Sequence, residues 1–490
     1  MPFKRYRGLE TRALPRDFGT TGVPAVEVLS GRRPAQPAPL DEHGLARLLF
    51  FSAGVTRVSD SPAFEGRTYF RAAMSAGNLH PVELYVACGD LGAVPAGLYH
   101  FDPLEFGLTE LRDQDLRLAL AGAAGISEIQ TAPCTIVLTG IPWRTAWKYG
   151  ERGYRHLYWD AGTILANLLA VADAHGLAAR VAVGFDDHGV AAGIAVDGTS
   201  EFPLALVPIG AGPPAPLGRA ITPERIVFDV EPISPHPIEF PLITKAHAAG
   251  ALADGVEEWR EAAARLGAPA RVELDPPGVA SRPSIEDVIL RRGSTRVMRR
   301  ATAPRELLDW GMSVAARPVP GDFAAPGATM LEHYLSVHDV AGVEPGAYRW
   351  GDGTTHLVHR GDYRGEAQLL CLRQPLGGDS AYTAFHCADL DAVLAALGSR
   401  GYRAAQLEAG ISAGRLTLAA FALGYGATGL TFFDEAVSHF FQARASCMLV
   451  TSVGVPAYTN APGGPPGATT ELGGYERLME RVSLQLHRAR

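Results

Sequence analysis

Three short stretches of the chain contain residues whose types and spacing could do chemistry. The first is a small polar turn, Ser75-Ala76-Gly77-Asn78-Leu79, which runs through His80-Pro81 into an apolar run. A turn with almost no side chains lets a flat ligand lie against backbone N–H groups. Because most Gly/Ser/Asn turns only connect elements, the residues alone leave both interpretations open.

The second stretch is a basic cluster, Arg291-Arg-Gly-Ser-Thr-Arg296. Guanidinium groups make bidentate, charge-assisted hydrogen bonds to phosphate oxygens, and Gly293 and Ser294 permit close approach of the backbone. Because Arg299 and Arg300 follow, the alternative is the solvated end of a basic helix.

The third stretch is the pair Lys148-Tyr149. Removing a lysine amine from water favours its neutral form, which can accept a proton, and a tyrosine hydroxyl can relay or orient a proton. The alternative is a helix start with an exposed lysine and a packed tyrosine ring.

The residues around the turn resemble a known family. The segment Arg71-Ala-Ala-Met-Ser-Ala-Gly-Asn-Leu-His-Pro-Val-Glu-Leu-Tyr85 resembles the PSAGxLHPxELY signature of the SagB/McbC-type dehydrogenases, a branch of the FMN-dependent nitroreductases. One departure is Met74, where the family usually has proline. Three further segments match in the same order, and the match covers about residues 40 to 210: Gly97–Phe101, Ala146–Gly150 and Tyr154–Leu177.

The resemblance implies a role for each stretch. It implies that FMN is the cofactor, that Lys148 and Tyr149 are catalytic, and that the basic cluster corresponds to an RRSxR motif which holds the FMN phosphate. Arg71 is expected to meet the flavin's pyrimidine carbonyls, or else to pair with a surface acid, and the strand end 429–432 to present backbone to flavin N5. The implied FMN contacts are Arg71, Ser75, Ala76, Gly77, Asn78, Leu79, Arg291, Arg292, Ser294, Arg296, Gly429, Leu430, Thr431 and Phe432.

Composition restricts the class of protein. With 490 residues the chain is too long for one ordinary core, and 47% hydrophobic with 20% charged residues is typical of a globular protein. The net charge of −8 argues against a general nucleic-acid binder. The five cysteines are scattered without a CxxC, and no His/Cys cluster has metal-ligand spacing. Without an apolar run of about 18 residues or a secretory signal, we expect no membrane span and a cytoplasmic protein.

The chain also repeats itself. Gly153-Tyr-Arg to Asp187 aligns without gaps on Gly401-Tyr-Arg to Glu435, at a constant separation in sequence. The repeat predicts an α+β fold of two tandem nitroreductase-like, FMN-binding domains that form an intramolecular pseudo-dimer, so the chain could act as a monomer. Its helices Gly153–Gly176 and Gly401–Gly424 are expected to pack together as pseudo-twofold mates. The predicted parts are an N-terminal arm packed on the surface (1–35), domain 1 (36–215), a Pro-rich linker with one helix (216–283), domain 2 (284–460) and a C-terminal tail helix (461–490).

The two copies have diverged in a complementary way. The first copy's stretch near Ser30-Gly-Arg-Arg-Pro34 has no serine after its arginine pair, whereas the second copy's version of the turn, within 325–333, lacks the Ser-Ala-Gly-x-Leu-His-Pro order. Ala396-Leu397 stands where the first copy has Lys148-Tyr149. We therefore predict one composite FMN site per chain. In this prediction Asp160 and Glu408 are ordinary helix-face residues.

Three functions remain open on the sequence. The first, implied by the resemblance, is oxidation of thiazoline or oxazoline rings to azoles in a ribosomally made precursor peptide, in a complex with a YcaO-type cyclodehydratase. The second is an NAD(P)H-dependent nitro or quinone reductase. The third is a flavin-bound scaffold of a peptide-modifying complex, which the loss of one site would permit.

Overall fold

Two β-sheets and the helices between them make up most of the structure. The computed structural model describes residues 2–32, 39–60, 66–216, 226–270 and 275–473, and every structural statement here concerns those residues. We call residues 2–216 the first half, 226–283 the connecting segment and 284–473 the second half.

The first half contains eight strands and seven helices among its described residues. The strands are β1 (Thr11–Ala13), β2 (Val55–Asp60), β3 (Arg67–Arg71), β4 (Val82–Cys88), β5 (Gly97–Asp102), β6 (Gly107–Arg112), β7 (Cys134–Gly140) and β8 (Phe202–Ile209). The helices are α1 (Ala25–Leu29), α2 (Glu42–Ala53), α3 (Arg117–Ala124), α4 (Glu128–Thr131), α5 (Trp143–Tyr149), α6 (Gly153–Ala174) and α7 (Asp187–Gly193).

The remaining elements follow in chain order. The connecting segment contains α8 (Pro241–Ala249), α9 (Val256–Ala263) and β9 (Ala268–Pro269). The helices of the second half are α10 (Ile285–Arg291), α11 (Arg305–Ala315), α12 (Arg364–Leu370), α13 (Leu376–Asp379), α14 (Leu390–Ala422) and α15 (Asp434–Phe441). Its strands are β10 (Met298–Arg299), β11 (Ala328–Thr329), β12 (Leu331–Val337), β13 (Gly346–Gly351), β14 (Thr354–Arg360), β15 (Tyr382–Ala388), β16 (Gly426–Leu430), β17 (Ser446–Pro456) and β18 (Thr470–Leu472).

Each half has its own antiparallel sheet. The first has the order β1-β6-β5-β4-β7-β8, and the second has the order β10-β17-β15-β12-β13-β14, with β16 also paired with β17. The central pairs keep the same register, since Leu84 lies opposite Leu138 in one sheet and His333 lies opposite His386 in the other. A third sheet crosses between the halves, because β18 pairs in parallel with β2, and β2 pairs with β3.

The helices α6 and α14 pack against each other, as the repeat predicts. A Cβ atom placed on Gly162 would lie 2.6 Å from the Cα atom of Gly410, so the two backbones touch at these glycines. Near the start of the contact the rings of Tyr154 and Tyr402 are parallel, with centroids 6.4 Å apart. Both pairs are equivalent positions of the repeat. Every residue of α6 except Arg155 is buried, which is typical of a helix covered on all sides.

Ion pairs cross between the halves in both directions. Arg152 and Arg155 at the start of α6 bind Asp434 of the second half, the first at 2.7 Å. The equivalent arginines of α14, Arg400 and Arg403, bind Asp187 of the first half at 2.5 and 2.9 Å. Each half therefore supplies cations to the other's carboxylate.

One unusual backbone conformation also recurs. Gly150, directly after α5, has φ 58° and ψ −145°, and Gly398 within α14 has φ 61° and ψ −160°. Residues with side chains rarely adopt this region. The bend at Gly398 divides α14 into a short segment equivalent to α5 and a long segment equivalent to α6.

Two sequence expectations are wrong. The predicted linker holds two helices, α8 and α9, instead of one, because Gly250 to Gly255 separate an apolar helix from a charged one. The predicted surface arm is part of the fold, since β1 completes an edge of the first sheet and the Lys4 amine is buried 2.6 Å from Glu201 Oε2. The predicted tail helix lies mostly in 474–490, outside the described residues. The domain boundaries stay predictions.

No helix in the described part of the chain is long and apolar enough to cross a membrane.

Candidate functional site

The turn after β3 is held in shape by a buried carboxylate of α6. Asp160 Oδ1 accepts a hydrogen bond from the Ala76 N–H at 2.9 Å, and Oδ2 accepts one from Ser75 Oγ at 2.5 Å. Burial raises the pKa of Asp160 to about 7, although the two hydrogen bonds and Arg71 oppose the shift. Asp160 is therefore more than the helix-face residue predicted from the sequence.

The backbone of the turn is left-handed at three positions. Gly77, Asn78 and His80 have φ values of 64°, 60° and 48°. Asn78 stabilises this path, because its Nδ2 donates to the Tyr69 carbonyl at 2.8 Å and its Oδ1 lies 3.0 Å from His80 Nε2. Strained backbone of this kind is common at binding sites, where the surroundings hold it in place. Leu79, half-buried, closes the turn with right-handed backbone.

Lys148 and Tyr149 lie directly against this turn. They form the last turn of α5, and a Cβ atom on Gly77 would lie 2.6 Å from Tyr149 Oη and 3.0 Å from Lys148 Nζ. Only glycine fits at position 77 for this reason, in addition to its positive φ. Burial raises the pKa of Tyr149, and the negative charge of Asp160 adds to the shift while Arg296 opposes it.

The proton-accepting role considered for Lys148 calls for an amine that is removed from water. In the structure the Lys148 side chain is exposed, so the protein alone does not desolvate the amine.

A histidine that the sequence did not indicate lies under the pair. The His156 ring contacts the Tyr149 ring edge-on, with centroids 4.2 Å apart, and lies 4.8 Å from the Trp159 ring. It is fully buried, and neither ring nitrogen has a hydrogen-bond partner in the described structure. Burial lowers the pKa of His156 to about 3, with help from Arg152, so the ring is neutral.

The basic cluster divides into two kinds of arginine. Arg292 is buried and donates across to the first half, with Nη2 2.9 Å from the Ala72 carbonyl and 3.4 Å from the Arg71 carbonyl. Burial lowers its pKa to about 9. Arg291 and Arg296 are exposed, and Arg296 acts on Tyr149 electrostatically. Arg292 therefore fastens the cluster to the turn, whereas Arg291 and Arg296 are exposed.

The residues between these arginines suit a close ligand. Ser294 is half-buried. The hydroxyl of Thr295 is buried without a hydrogen-bond partner in the described structure, while its N–H donates to the Ala427 carbonyl at 3.0 Å. A buried hydroxyl without a partner costs free energy unless a ligand or water satisfies it. The sequence analysis missed Thr295, although it lies inside the motif.

The strand end 429–432 lies on the same side of the second half as the cluster. Gly429 is exposed, and a Cβ there would find no atom nearer than 3.9 Å, so its backbone is open to a ligand. Phe432 is buried, and the centre of its ring lies 6.0 Å from the centre of the Trp159 ring. This contact connects the strand end to His156 and Tyr149 through aromatic rings. Gln374 holds Thr431, donating to its Oγ1 at 3.1 Å, and Leu430 is buried.

Arg71 is buried, so the alternative that it pairs with a surface acid is wrong. Its Nη2 donates to the Pro2 carbonyl at 2.9 Å, and its guanidinium lies 5.2 Å from the centre of the Phe3 ring. Burial lowers its pKa to about 10, and its Nε has no hydrogen-bond partner in the described structure.

The structure thus brings the predicted stretches of both halves to one place. The turn and the Lys-Tyr pair come from the first half, the basic cluster comes from the second half, and the Arg292 contact joins them. The residues fit FMN, because the open strand backbone at Gly429 and the exposed arginines lie around the turn.

The equivalent place on the other side of the α6–α14 contact is built differently. Glu408 repeats the role of Asp160, with Oε1 and Oε2 accepting from Thr329 Oγ1 at 2.8 Å and the Met330 N–H at 3.0 Å. Burial raises its pKa to about 7 as well. Arg317, however, donates to the Leu29 carbonyl at 3.1 Å and lies 2.8 Å from where a Gly31 Cβ would be. The Arg317 side chain therefore occupies the space beside the first-half stretch that corresponds to the basic cluster.

Comparisons with known proteins agree with this architecture. Over 93% of its length the chain shares its fold with 94% of a putative nitroreductase from Anabaena variabilis, at a TM-score of 0.72 and 24% identity. The fold is thus a mixed α+β fold of the nitroreductase type. Residues 33–211 match the model of the Nitroreductase family, so the chain contains a nitroreductase family domain.

Two further relatives match parts of the chain. A putative nitroreductase of Methanocaldococcus jannaschii is 28% identical over 175 residues, which is 35% of this chain and 82% of that protein. A chain of the E. coli microcin synthetase McbBCD complex with truncated pro-MccB17 bound matches 37% of this chain and 70% of its own length, at 23% identity and a TM-score of 0.30.

Proposed function

We propose that the protein is an FMN-dependent dehydrogenase which oxidises thiazoline or oxazoline rings to azoles in a ribosomally made peptide. The observation that carries the proposal is the position of Lys148 Nζ and Tyr149 Oη, 3.0 and 2.6 Å from a Cβ position on Gly77 in the turn. A reaction that removes a proton from carbon needs a positioned proton acceptor, whereas reduction of a nitro group does not call for this pair.

The proposed enzyme is a fused pair of domains with one FMN site. The exposed Arg291 and Arg296, with Ser294 and Thr295, would hold the phosphate, and the turn would lie along the ring system. The Arg317 side chain, which lies against Leu29 and Gly31 in the stretch that corresponds to the basic cluster, supports a single site. The crossed ion pairs and the Gly162–Gly410 contact support the intramolecular pseudo-dimer.

FMN, when bound, supplies an acceptor for the hydride that leaves one ring carbon of the azoline. The chain's own residues would take the proton that leaves the neighbouring carbon. Because burial and Asp160 raise the pKa of Tyr149, its hydroxyl stays protonated near neutral pH and suits a relay or a hydrogen-bond donor. Lys148 is then the proton acceptor. Its amine is exposed, so a peptide that covers it would provide the desolvation which favours its neutral form.

Two exposed aromatic side chains beside the site also suit a large substrate. Trp147, next to the pair, is 56% exposed, and Phe433, next to the strand end, is 47% exposed. Both rings are therefore available to contact a bound peptide. A precursor peptide, delivered by a YcaO-type cyclodehydratase, is the partner we propose.

A nitro or quinone reductase is the second candidate, and the nitroreductase family domain at 33–211 favours it. A flavin-bound scaffold is the third candidate, and the Arg317 side chain beside Gly31 favours it, because it occupies the stretch that corresponds to the basic cluster.

One set of measurements separates the three. The purified chain is given a thiazoline-containing peptide, and mass spectrometry follows the loss of two mass units per ring. The dehydrogenase predicts this loss, with slow bleaching of the flavin by NADPH. Fast bleaching by NADPH without azole formation would mean a reductase, and a bound flavin that does neither would mean a scaffold.

A further inference from the structure

The two large sheets end differently at edges that are equivalent in the repeat. Strand β6 of the first sheet is covered on its outer side by β1, which pairs with it antiparallel from Thr11 opposite Thr109 to Ala13 opposite Gly107. Strand β14 ends the second sheet, and no strand of the described residues pairs with its outer side. One residue of β6 is exposed, against four of the seven residues of β14. An unpaired edge offers main-chain donors and acceptors to another chain.

The two edge strands have the same place in their sheets. Each pairs with the preceding strand as a hairpin, and each hairpin has a register shift beside a tyrosine of that strand, Tyr99 in β5 and Tyr348 in β13. The residues opposite the position two residues after each tyrosine are Leu108 of β6 and Thr355 of β14. Thr355 is therefore equivalent to Leu108, which lies within the stretch that β1 covers.

The turn before β14 determines which of its main-chain groups face outwards. The two turn residues, Asp352-Gly353, have φ values of 51° and 73°, which is typical of a type I′ turn. In such a hairpin the residues that flank the turn, here the paired Gly351 and Thr354, form a hydrogen-bonded pair. Main-chain groups alternate in direction along a strand, so the N–H and C=O groups of Thr355 and Leu357 point away from β13.

The outer edge of β14 is self-complementary. When two copies of the strand meet antiparallel with His356 opposite itself, Thr355 of each copy lies opposite Leu357 of the other, and these residues exchange main-chain hydrogen bonds. The same register directs Asp352, before the start of the strand, towards Arg360 at the end of the strand in the other copy. Opposite charges that face each other across two strands stabilise their pairing.

The sequence of β14 does not protect its edge. Natural edge strands are commonly protected by lysine or proline, and β14, Thr-Thr-His-Leu-Val-His-Arg, contains neither. Leu357 is 43% exposed, whereas Glu110 stands opposite the matching tyrosine in the first half. Covering an exposed leucine removes apolar surface from water and so favours association. The register shift after Leu357 limits the regular edge to a few residues, so the contact is short.

We propose that two copies of the chain pair through β14, antiparallel and centred on His356, so that one sheet continues across both copies. A second copy fits this edge better than an arbitrary extended peptide, because the outward groups and the charges of the strand match each other in a single register. The proposal does not depend on the proposed dehydrogenase activity, since no residue of the candidate FMN site belongs to β14.

Sedimentation velocity of the full flavin-loaded chain tests the dimer at concentrations from about 1 to 100 µM, the range expected for a small interface. Thr355→Pro removes the outward N–H and should leave the chain monomeric throughout. Thr355→Val keeps the N–H and should dimerise as the wild type does. Asp352→Asn keeps the turn and should weaken the dimer by roughly 2–30-fold, the value of two exposed ion pairs. The lower end is expected, because Arg360 also binds Glu344 of its own chain.

Introduced cysteines test the register. Directly opposite residues of a non-hydrogen-bonded pair have Cα atoms about 4.5 Å apart, which a disulfide can bridge. His356→Cys should therefore cross-link two copies when oxidised glutathione is added. Thr354→Cys is the control and should not, because the two copies of position 354 would lie on the order of 13 Å apart along the strands. The five native cysteines are buried in both variants.

Three results would overturn the proposal. They are a monomeric chain at every concentration, a Thr355→Pro variant that dimerises like the wild type, and equal cross-linking of His356→Cys and Thr354→Cys. If Thr355→Pro does not fold, the two cysteine variants decide alone. A monomeric chain whose β14 amides are protected from hydrogen exchange by the thiazoline-containing peptide would assign this edge to a peptide instead of a second copy.

Discussion

The two turns beside α6 and α14 share their support and differ in their surroundings. Asp160 and Glu408 cap them with the same pair of hydrogen bonds, and burial raises both pKa values to about 7. Beside the first turn lie Lys148 and Tyr149, whereas Ala396 and Leu397 stand at the equivalent positions. The buried carboxylate that supports such a turn is therefore present both with and without a neighbouring Lys-Tyr pair.

The cores under the two turns differ as well. In the first half, Leu84 and Leu138 lie opposite each other, whereas His333 and His386 lie at the same register in the second half. The two Nδ1 atoms are 3.1 Å apart, and His386 Nε2 lies 3.1 Å from Thr451 Oγ1. A fully buried polar cluster has thus replaced an apolar pair beneath the turn that lacks the Lys-Tyr pair.

The largest expected effect comes from changing Lys148 and Tyr149, the pair that lies beside the first turn. Lys148→Ala and Tyr149→Phe should each lower azoline oxidation by about 10²–10⁴-fold, because a positioned proton acceptor or relay contributes that much. The flavin absorbance should stay, since neither side chain is among the proposed phosphate contacts. Leu397→Ala, at the position equivalent to Tyr149, is the control and should keep the wild-type rate. Wild-type rates in both Lys148→Ala and Tyr149→Phe would show that the pair is only packing.

The next effect concerns the phosphate contacts. Arg296→Ala should weaken FMN binding by about 1.5–3 kcal/mol, the value of a charge-assisted hydrogen bond, or roughly 10–150-fold in Kd. Arg32→Ala changes the first-half stretch that corresponds to the cluster and should have no effect, with one FMN per chain in both proteins. Flavin fluorescence titration of the apoprotein gives the constants. A stoichiometry near two FMN per chain would contradict the single site.

A smaller effect is expected on the free energy of unfolding when the buried histidines of the second half are changed. His386→Leu alone should destabilise the fold by about 1–3 kcal/mol, because it leaves buried partners of His386 without a hydrogen bond. The double change His333→Leu with His386→Leu copies the first half's leucines and should restore most of that loss. Urea unfolding of the three proteins measures this. Equal destabilisation by the single and double changes would mean that the histidines do not act as a pair.

The smallest effect is on pH dependence. Because the folded-state pKa values of Asp160 and Glu408, about 7, lie above the ordinary 3.8 and 4.5, the folded state binds more protons than the unfolded state between these limits. Each carboxyl therefore makes stability fall as pH rises from about 4 to 7. Asp160→Asn or Glu408→Gln should remove up to about 1.4 kcal/mol per pH unit of that slope. Urea unfolding at pH 4, 5, 6 and 7 checks it, and curves parallel to the wild type would refute the assignment.

The two carboxyl variants also separate support from chemistry. Asp160→Asn changes the turn that carries Gly77 and should lower flavin binding, whereas Glu408→Gln should not. Loss of flavin in Glu408→Gln would show that the second turn still takes part in a site.

The sequence predicted those features that are marked by short motifs or by the constant spacing of the repeat. The turn, the Lys-Tyr pair and the α6–α14 contact follow from local patterns, and the left-handed Gly150 and Gly398 occur at equivalent places in the repeat. Contacts between distant residues were missed, because no local signal marks them. The sequence does not show that Asp160 caps Ser75, that His156 contacts Tyr149, or that Arg292 donates to main-chain carbonyls.

The linker helices were misjudged for a related reason. Proline and glycine content indicated an irregular segment, but Ile243, Trp259 and Ala263 are buried against the rest of the fold. Tertiary packing stabilises short helices that propensity alone would not.

Because β18 pairs with β2, the first half can complete its contacts only after the end of the second half has been synthesised. The ribosome makes β2, β3 and the turn long before it makes Arg292 or Thr470. Until then one edge of β2 lacks its neighbour, and the carbonyls of Arg71 and Ala72 lack the guanidinium that binds them. An open strand edge on a nascent chain invites pairing with other chains. We therefore expect the newly made first half to depend on chaperones until the second half emerges, and its ligand site to be the last part of the protein to mature.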